Sequence, residues 1–172
     1  MTRYVALLRA VNVGGTGKLP MSELKAMGQA AGFADARTYI ASGNLVFTSK
    51  LGEAAVKKKL EQQLFDYAGK PVGVLIRNAA EMARVVADNP FPHEPGNRVV
   101  AIFLDDPPAA TALDDVRHRQ QERLACGKRE IYVHYGDGMA DSRLVIPAAR
   151  TGTARNINTI TKLAELAADR GA

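Results

Sequence analysis

The sequence predicts a mixed α/β (α+β) fold built from two similar halves with mainly antiparallel sheets. Three observations support this prediction. Apolar residues make up 47% of the 172 residues, so the chain can bury a sizeable interior. Short apolar runs alternate with stretches in which apolar residues recur every three or four positions, which is typical of alternating strands and helices. The same order of strands and helices is predicted in the first and in the second part of the chain.

The first half is predicted to follow the order βαββαβ. A strand is expected over 3–12, and Pro20 suits the first turn of the helix that follows. The β-rich runs "RTYIA" and "NLVFT" are joined through Ser42-Gly43-Asn44, which predicts a tight hairpin because Gly and Asn tolerate a positive φ. A helix over 53–68 and the strand "PVGVLIR" complete the ferredoxin-like order, and "NAAEMARVVADN" adds a further helix.

The second half begins after the proline-rich segment "PFPHEPGN" at 90–97, which is predicted to be a linker or surface crossing. A strand is expected in "RVVAIFL" and a helix in "ATALDDVRHRQQERLA", over 110–125. A hairpin is predicted over 131–144, and a last helix in "NINTITKLAELAADR". We therefore infer a duplicated ferredoxin-like βαββα unit, with halves at 1–88 and 89–172 that pack together as one compact unit.

Three blocks of this sequence, "YVALLRAVNVGGTGKLPMSELKAM", "TYIASGNLVFTS" and "TGTARNINTITKLAEL", closely resemble a bacterial domain-of-unknown-function family, number 1697. The resemblance extends from about Tyr4 to Leu166, and the blocks occur in the family's order and spacing. It implies two ferredoxin-like halves, in agreement with the element order. It implies no particular activity.

The formal charge of +5 fits an acidic partner such as a phosphate compound or a nucleic acid. No apolar run approaches the ~18 residues of a membrane helix, so no membrane partner is expected. The start of the chain turns polar too early for a secretory signal, and the lone Cys126 is compatible with a reducing compartment. A cytoplasmic location is therefore predicted.

The glycine-rich stretch "VNVGGTGKLP", residues 11–20, follows the first strand and precedes the first helix. It does not fit a Walker A loop, because Asn12 stands where the first glycine belongs and Leu19 where a magnesium-binding hydroxyl belongs. The glycine spacing also fails the dinucleotide-binding fingerprint. A P-loop NTPase and a Rossmann-type cofactor site are therefore not expected.

A weaker anion site remains open for the same loop. The Gly-Gly-x-Gly run of Gly14, Gly15 and Gly17 can turn consecutive backbone N–H groups toward one concavity, close to the positive end of the next helix. Asn12, at the start of the loop, is a further candidate ligand-binding residue. Arg9 and Lys18 flank the loop and can supply charge. The alternative is a βα connection whose glycines only permit the turn.

The second candidate is the segment "RTGTARNINT" at 150–159. Thr153, Arg155 and Asn156 are expected at the start of the last helix, with Arg155 at a polar rim. A helix N-terminus with these side chains is suited to bind an anion. The alternative is that Thr153 or Asn156 only caps the helix.

The third candidate is the turn that contains Ser42 and Asn44. Turn chemistry alone explains these residue types. We also expect this turn at the end of the sheet opposite to the exit of the first strand, so that it need not share a site with the glycine loop.

The sequence predicts no metal site and no cofactor, because its three histidines are isolated and no Cys/His spacing suits a metal. It identifies no catalytic residue, and whether the protein is an enzyme stays open. The best hypothesis is the binding of a phosphate-bearing small ligand or nucleotide by the glycine loop and the helix start at 150–159. The alternatives are a nucleic-acid-binding module without catalysis and a structural or interaction protein.

Overall fold

The structure is a computed structural model that describes residues 1–11 and 18–168. The chain divides into two compact units. The first consists of Met1–Ala83 and the end of the chain from Leu163, and the second of Arg84–Lys162. The expected halves, 1–88 and 89–172, and their packing as one compact unit stay a prediction.

The first unit follows the predicted order of strands and helices. Its elements are β1 (Thr2–Leu8), α1 (Met21–Ala30), β2 (Ala34–Thr38), β3 (Asn44–Ser49), α2 (Glu53–Ala68) and β4 (Val74–Asn78). Helix α3 (Ala79–Ala87) follows directly, and its residues from Arg84 belong to the second unit. The four strands form one antiparallel sheet in the order β2-β3-β1-β4. This is the ferredoxin-like arrangement that the sequence predicts.

The apolar core of the first unit lies between its sheet and the helices α1 and α2. Alternate residues of β1 point into this core, as a strand with a period of two requires. Phe33 and Phe47 stack within it, with ring centroids 4.1 Å apart. Val5 and Leu7 belong to the opposite face of the sheet and are also fully buried. The central strand is therefore buried on both faces.

The second unit repeats the strand order of the first with different connections. Its strands and 3-10 helices are β5 (Val99–Phe103), β6 (Arg123–Cys126), β7 (Glu130–His134), two 3-10 helices (Gly136–Asp141 and Pro147–Ala149) and β8 (Thr153–Asn156). Helix α4 (Ile157–Ala168) begins in this unit, and its residues from Leu163 belong to the first. The sheet is antiparallel in the order β6-β7-β5-β8. The chain is thus a mixed α/β protein with two four-stranded antiparallel sheets of the same topology.

The helix predicted over 110–125 is wrong. This stretch, all of it described, consists of turns that lead into β6. Arg117 pairs its backbone with Val145 in an isolated antiparallel bridge, and the amide of Gln120 donates to Oε1 of Glu122 at 2.6 Å. Leu113, with Val116 and Leu124, nevertheless packs on the core of the second sheet. The helical spacing therefore reflected burial, while local side-chain hydrogen bonds hold the backbone in turns.

The hairpin predicted over 131–144 is also wrong. The observed hairpin joins β6 to β7 through a turn in which the Gly127 amide donates to Glu130 O at 2.7 Å. After β7, Gly136 adopts a φ of 64° and begins a 3-10 helix in place of a second strand. The prediction placed the turn one strand too late, because it had assigned the residues of β6 to a helix.

Candidate functional site

The exit of β1 is fixed by two neighbouring segments of the first unit. The Leu8 amide donates to Gly43 O at 2.9 Å, and the Arg9 amide donates to Gly73 O at 2.9 Å. Ala10 then adopts a φ of 51°, in the left-handed region that non-glycine residues rarely occupy. The chain therefore turns sharply after Arg9, and this turn places Arg9 beside the segment that leads into β4.

Arg9 and Lys18 line one cavity of about 240 Å³ at this end of the sheet. Lys70 is a third cation in its wall. The remaining lining residues are mostly apolar: Ala10, Val11, Leu19, Leu64, Tyr67, Ala68, Pro71, Val72 and Gly73. Among these described residues there is no carboxylate, so the wall of the cavity carries net positive charge.

Helix α2 forms one wall of the cavity because of its spacing and its end. Leu64, Tyr67 and Ala68 follow the i, i+3, i+4 pattern and therefore share one face of the helix. Gly69 ends the helix in a left-handed conformation, with a φ of 72°, and its amide donates to Phe65 O. The chain then passes through Lys70 toward β4, which places this cation beside the cavity.

The turn with Ser42 and Asn44 lies at the same end of the sheet as the exit of β1, so the expectation of opposite ends is wrong. In the antiparallel register Leu7 is opposite Asn44, the first residue of β3. A Cβ on Gly43 would lie 2.9 Å from Leu8 Cβ and 2.6 Å from Val11 Cγ2, so only glycine fits. Strands β1 and β2 run in the same direction with β3 between them. The β2–β3 hairpin and the end of β1 therefore lie at the same end of the sheet.

Ser42 and Asn44 support the turn itself. The Asn44 side-chain amide is fully buried and donates to Tyr39 O at 2.8 Å and to Ser42 Oγ at 2.9 Å. Neither residue is among those that line the 240 Å³ cavity. Their observed contacts fit the turn chemistry, and a direct contact of either with a ligand stays a prediction. The same holds for Asn12, Gly14 and Gly15, which lie outside the described residues.

The prediction that Thr153 and Arg155 belong to a helix start is wrong, because both lie on strand β8 in the second unit. Thr153 pairs with Phe103 and Arg155 with Ala101 of β5. The helix begins directly after the strand, at Ile157. Asn156 is the residue that caps it, since its Oδ1 accepts from the Thr159 amide at 2.8 Å.

Arg155 is buried, with 7% of its surface exposed, and is therefore not at a polar rim. Its Nη1 donates to Thr153 Oγ1 at 2.8 Å and to Ala154 O at 2.9 Å. Burial lowers the pKa of the Arg155 guanidinium to about 10, which keeps it protonated at neutral pH. This arginine is a fixed internal charge of the second sheet.

Arg77 is the counterpart of Arg155 in the first sheet. Arg77 lies opposite Val5 on the central strand and is fully buried. Its Nη1 donates to the carbonyl of the preceding residue at 2.9 Å, as that of Arg155 does. The residue that follows, Asn78, caps α3 through the Glu81 amide at 2.8 Å. Both sheets therefore end their last strand with a buried Arg and a capping Asn.

A larger groove of about 530 Å³ is lined by α2 and by residues 71–73, but two of its polar side chains already bind the backbone of edge strand β4. The Glu61 carboxylate accepts from the Val74 amide at 3.1 Å, and the Lys57 ammonium donates to Val74 O. Lys57 and Glu61 also form an i, i+4 ion pair at 3.4 Å. These contacts cover the unpaired backbone groups of edge strand β4. The groove is a weaker candidate than the 240 Å³ cavity for this reason.

In the second unit, Glu94, Arg123 and His134 form a polar cluster. Arg123 Nη2 donates to Glu94 Oε1 at 2.9 Å and lies 3.2 Å from His134 Nδ1, while His134 Nε2 lies 3.2 Å from Glu94 Oε2. The Arg123 guanidinium also lies over the Phe91 ring, 5.0 Å from its centroid. Both imidazole nitrogens are engaged, so the cluster joins β6 and β7 to the proline-rich segment.

Other reactive groups offer little chemistry in the described part of the chain. No group of three or more His, Cys, Asp or Glu side chains there could hold a metal ion. Burial raises the pKa of the Cys126 thiol, which disfavours the reactive thiolate. No helix over residues 1–11 and 18–168 has the length and apolar character needed to cross a membrane.

Sequence reasoning identified Arg9 and Lys18 but missed Tyr67 and Lys70. The i, i+3, i+4 spacing of Leu64, Tyr67 and Ala68 was a usable signal for a shared helix face. It did not reveal that this face lies against the exit of β1, since that contact joins segments about 60 residues apart in the chain.

The fold has a solved counterpart. A structure described as conserved bacterial protein SP0830 from Streptococcus pneumoniae matches with a TM-score of 0.81 and 22% sequence identity, covering 98% of this chain and 99% of that one. At this identity the likeness concerns the fold alone. No curated protein matches the sequence significantly. The model of a family described as "Protein of unknown function (DUF1697)" matches residues 1–132. The chain therefore belongs to this family, DUF1697.

Proposed function

We propose that the first unit binds a phosphate-bearing small ligand in the 240 Å³ cavity at the exit of β1. The observation that supports this most directly is that Arg9 and Lys18, nine residues apart on either side of the glycine loop, line the same cavity as Lys70. Three cationic side chains that line one concave wall favour the binding of an anion. The loop residues Asn12, Gly14 and Gly15 belong to this proposal on sequence grounds.

The three cations have different roles in the proposed site. Arg9 is half-buried, anchored through its backbone at Gly73, and presents a planar fork that suits two phosphate oxygens at once. Lys18 and Lys70 are exposed and act as point charges that are screened by salt. We therefore expect Arg9 to provide orientation and the two lysines to provide most of the long-range attraction.

The test is a calorimetry and thermal-shift panel on the full chain with inorganic phosphate, ribose 5-phosphate and AMP. Lys18→Ala and Lys70→Ala should each weaken phosphate binding by about 1 kcal/mol. This is below the roughly 1.5–3 kcal/mol of hydrogen bonds to charged groups, because both side chains are exposed. The loss should shrink as salt concentration rises. Lys25→Ala is the matched control, since it removes one exposed charge from α1 away from the cavity lining.

Two results would overturn the proposal. One is that no phosphate compound stabilises the wild type. The other is that Lys25→Ala weakens binding as much as Lys18→Ala, because the attraction would then come from net charge alone. Generic nucleic acid should bind only weakly and be lost by physiological salt, because a net charge of +5 supplies few phosphate contacts. Tight binding of a generic oligonucleotide that survives physiological salt would therefore favour a nucleic-acid-binding module.

We place this binding in the cytoplasm, where phosphate metabolites are abundant and where the single cysteine, Cys126, would remain reduced. The proposal concerns binding alone.

A further inference from the structure

We infer that the ligand of this cavity is a mononucleotide whose base stacks on Tyr67. This inference rests on the proposed function, because it assumes that the phosphate is held by the cations of the same cavity. The chemistry of the rest of the ligand is inferred from the apolar residues that line the cavity.

The floor of the cavity is apolar. Val11 and Leu19 are 8% and 7% exposed, and Leu64 is 1% exposed. A free phosphate ion is strongly hydrated and gains nothing from such a surface, since burying a charge against apolar groups costs free energy. A ligand that combines an anionic end with a flat or apolar body satisfies both the cations and the floor.

Tyr67 supplies a surface suited to a flat body. It lies one turn after Leu64 on the same face of α2 and lines the cavity, yet 48% of its surface remains exposed. A half-exposed aromatic ring beside cations is the usual platform for a nucleotide base, because every base has a π-face and stacking tolerates differences between bases.

The volume of the cavity favours a ligand no larger than one nucleotide. Pockets for drug-sized molecules usually enclose about 300–1,000 Å³. A volume of about 240 Å³ is therefore enough for only part of a mononucleotide, with the base on Tyr67 at the open side. A dinucleotide or a longer strand would extend beyond the lined surface.

The test compares AMP with ribose 5-phosphate by calorimetry on wild-type protein, Tyr67→Ala, Tyr67→Phe and Phe65→Ala. Phe65 is the matched control, since it is exposed on the same helix but lines the larger groove and not this cavity. We expect AMP to bind the wild type about tenfold more tightly than ribose 5-phosphate, and Tyr67→Ala to remove roughly this tenfold advantage. Tyr67→Phe and Phe65→Ala should keep it.

The outcomes separate this inference from the proposed function. If both phosphates bind equally well and Tyr67→Ala affects neither, the stacking inference fails while the phosphate site stands. If neither compound binds, both fail. The inference is also overturned if Phe65→Ala weakens AMP binding as much as Tyr67→Ala does. It is overturned as well if a short single-stranded oligonucleotide binds tenfold more tightly than AMP at physiological salt.

Discussion

The side chain of Arg9 lies across Gly73, so closely that a Cβ at residue 73 would lie 2.9 Å from Arg9 Cδ. The two residues are also joined by the hydrogen bond from the Arg9 amide to Gly73 O. Glycine at this position therefore allows the arginine to reach the wall of the cavity. The atom that a larger residue would displace belongs to a flexible side chain and not to the backbone.

Gly73→Ala should consequently weaken phosphate binding by a few fold while lowering the free energy of unfolding by less than about 1 kcal/mol, because Arg9 can swing away. Calorimetry with AMP and a urea titration measure the two effects. Gly52→Ala is the control, since a Cβ there meets nothing within 4 Å. A loss of several kcal/mol in Gly73→Ala would mean that the arginine cannot move, and unchanged binding would remove Arg9 from the site.

Gly43→Ala should destabilise the protein by about 2–4 kcal/mol. The residue has a φ of 90°, which costs a residue with a Cβ ~1–2 kcal/mol, and the new methyl group would collide with Leu8 and Val11. Gly69→Ala separates the two causes, because Gly69 has a φ of 72° but open space around it. Chemical denaturation of both variants should show a clearly larger loss for Gly43→Ala. Equal losses would show that backbone strain alone acts at Gly43.

The caps of α3 and α4 should contribute equally to stability. Asn78 Oδ1 accepts from the Glu81 amide and Asn156 Oδ1 from the Thr159 amide, both at 2.8 Å. Replacing either Asn with Ala should cost about 1 kcal/mol, whereas replacement with Gly should cost only a few tenths. Denaturant titrations of the four variants measure this. If Asn156→Ala were silent in stability but weakened phosphate binding, the ligand role predicted for Asn156 would be favoured over capping.

The sequence predicted the first unit well because each of its elements carries a local signal. Pro20 precedes the first helix, Gly69 ends the second, and Ser42-Gly43-Asn44 forms the turn. These residues act on their own backbone, so they can be recognised without knowledge of the fold. The second unit was predicted less well, because Leu113 and Val116 recur at helical spacing and yet pack on the sheet from turns. The spacing of apolar residues indicates which side chains are buried, but it does not fix the backbone conformation. Here the isolated antiparallel bridge between Arg117 and Val145 is incompatible with a helix.

The candidate site was only partly predictable for a similar reason. Arg9 and Lys18 stand next to a glycine loop, which is a local signal. Tyr67 and Lys70 reach the same cavity only because α2 crosses the sheet toward the exit of β1, a tertiary contact that no local pattern encodes. Arg155 was misplaced because the strand β8 has only four residues and runs directly into α4.

Stability at acidic pH should depend on the contact between Glu122 and Ser142. The Ser142 hydroxyl donates to Glu122 Oε2 at 2.5 Å, and this bond, with the Gln120 amide, lowers the pKa of the carboxyl below its ordinary value of 4.5. A lowered pKa in the folded state means that the stabilisation is present above about pH 4.5 and is lost as the pH falls through the folded pKa.

Ser142→Ala should therefore move the midpoint of acid unfolding to higher pH, as followed by circular dichroism. Ser22→Ala, at an exposed position of α1, is the control and should leave the midpoint in place. An unchanged midpoint in Ser142→Ala would show that Glu122 does not control acid unfolding.

Arg155→Ala should lower the free energy of unfolding by about 2–4 kcal/mol, because it empties a buried position and removes the hydrogen bonds to Thr153 and Ala154. Arg150→Ala, at an exposed position three residues before the start of the same strand, should change the free energy of unfolding by no more than ~0.5 kcal/mol. Burial lowers the pKa of Arg155 from 12.5 to about 10, so only above about pH 10 does the folded state release a proton that the unfolded state still holds. The contribution of Arg155 to the free energy of unfolding should therefore rise with pH only above about pH 10. The difference between wild type and Arg155→Ala in urea should therefore be constant from pH 6 to pH 9. A stable Arg155→Ala variant that has lost phosphate binding would instead restore this arginine to the ligand site.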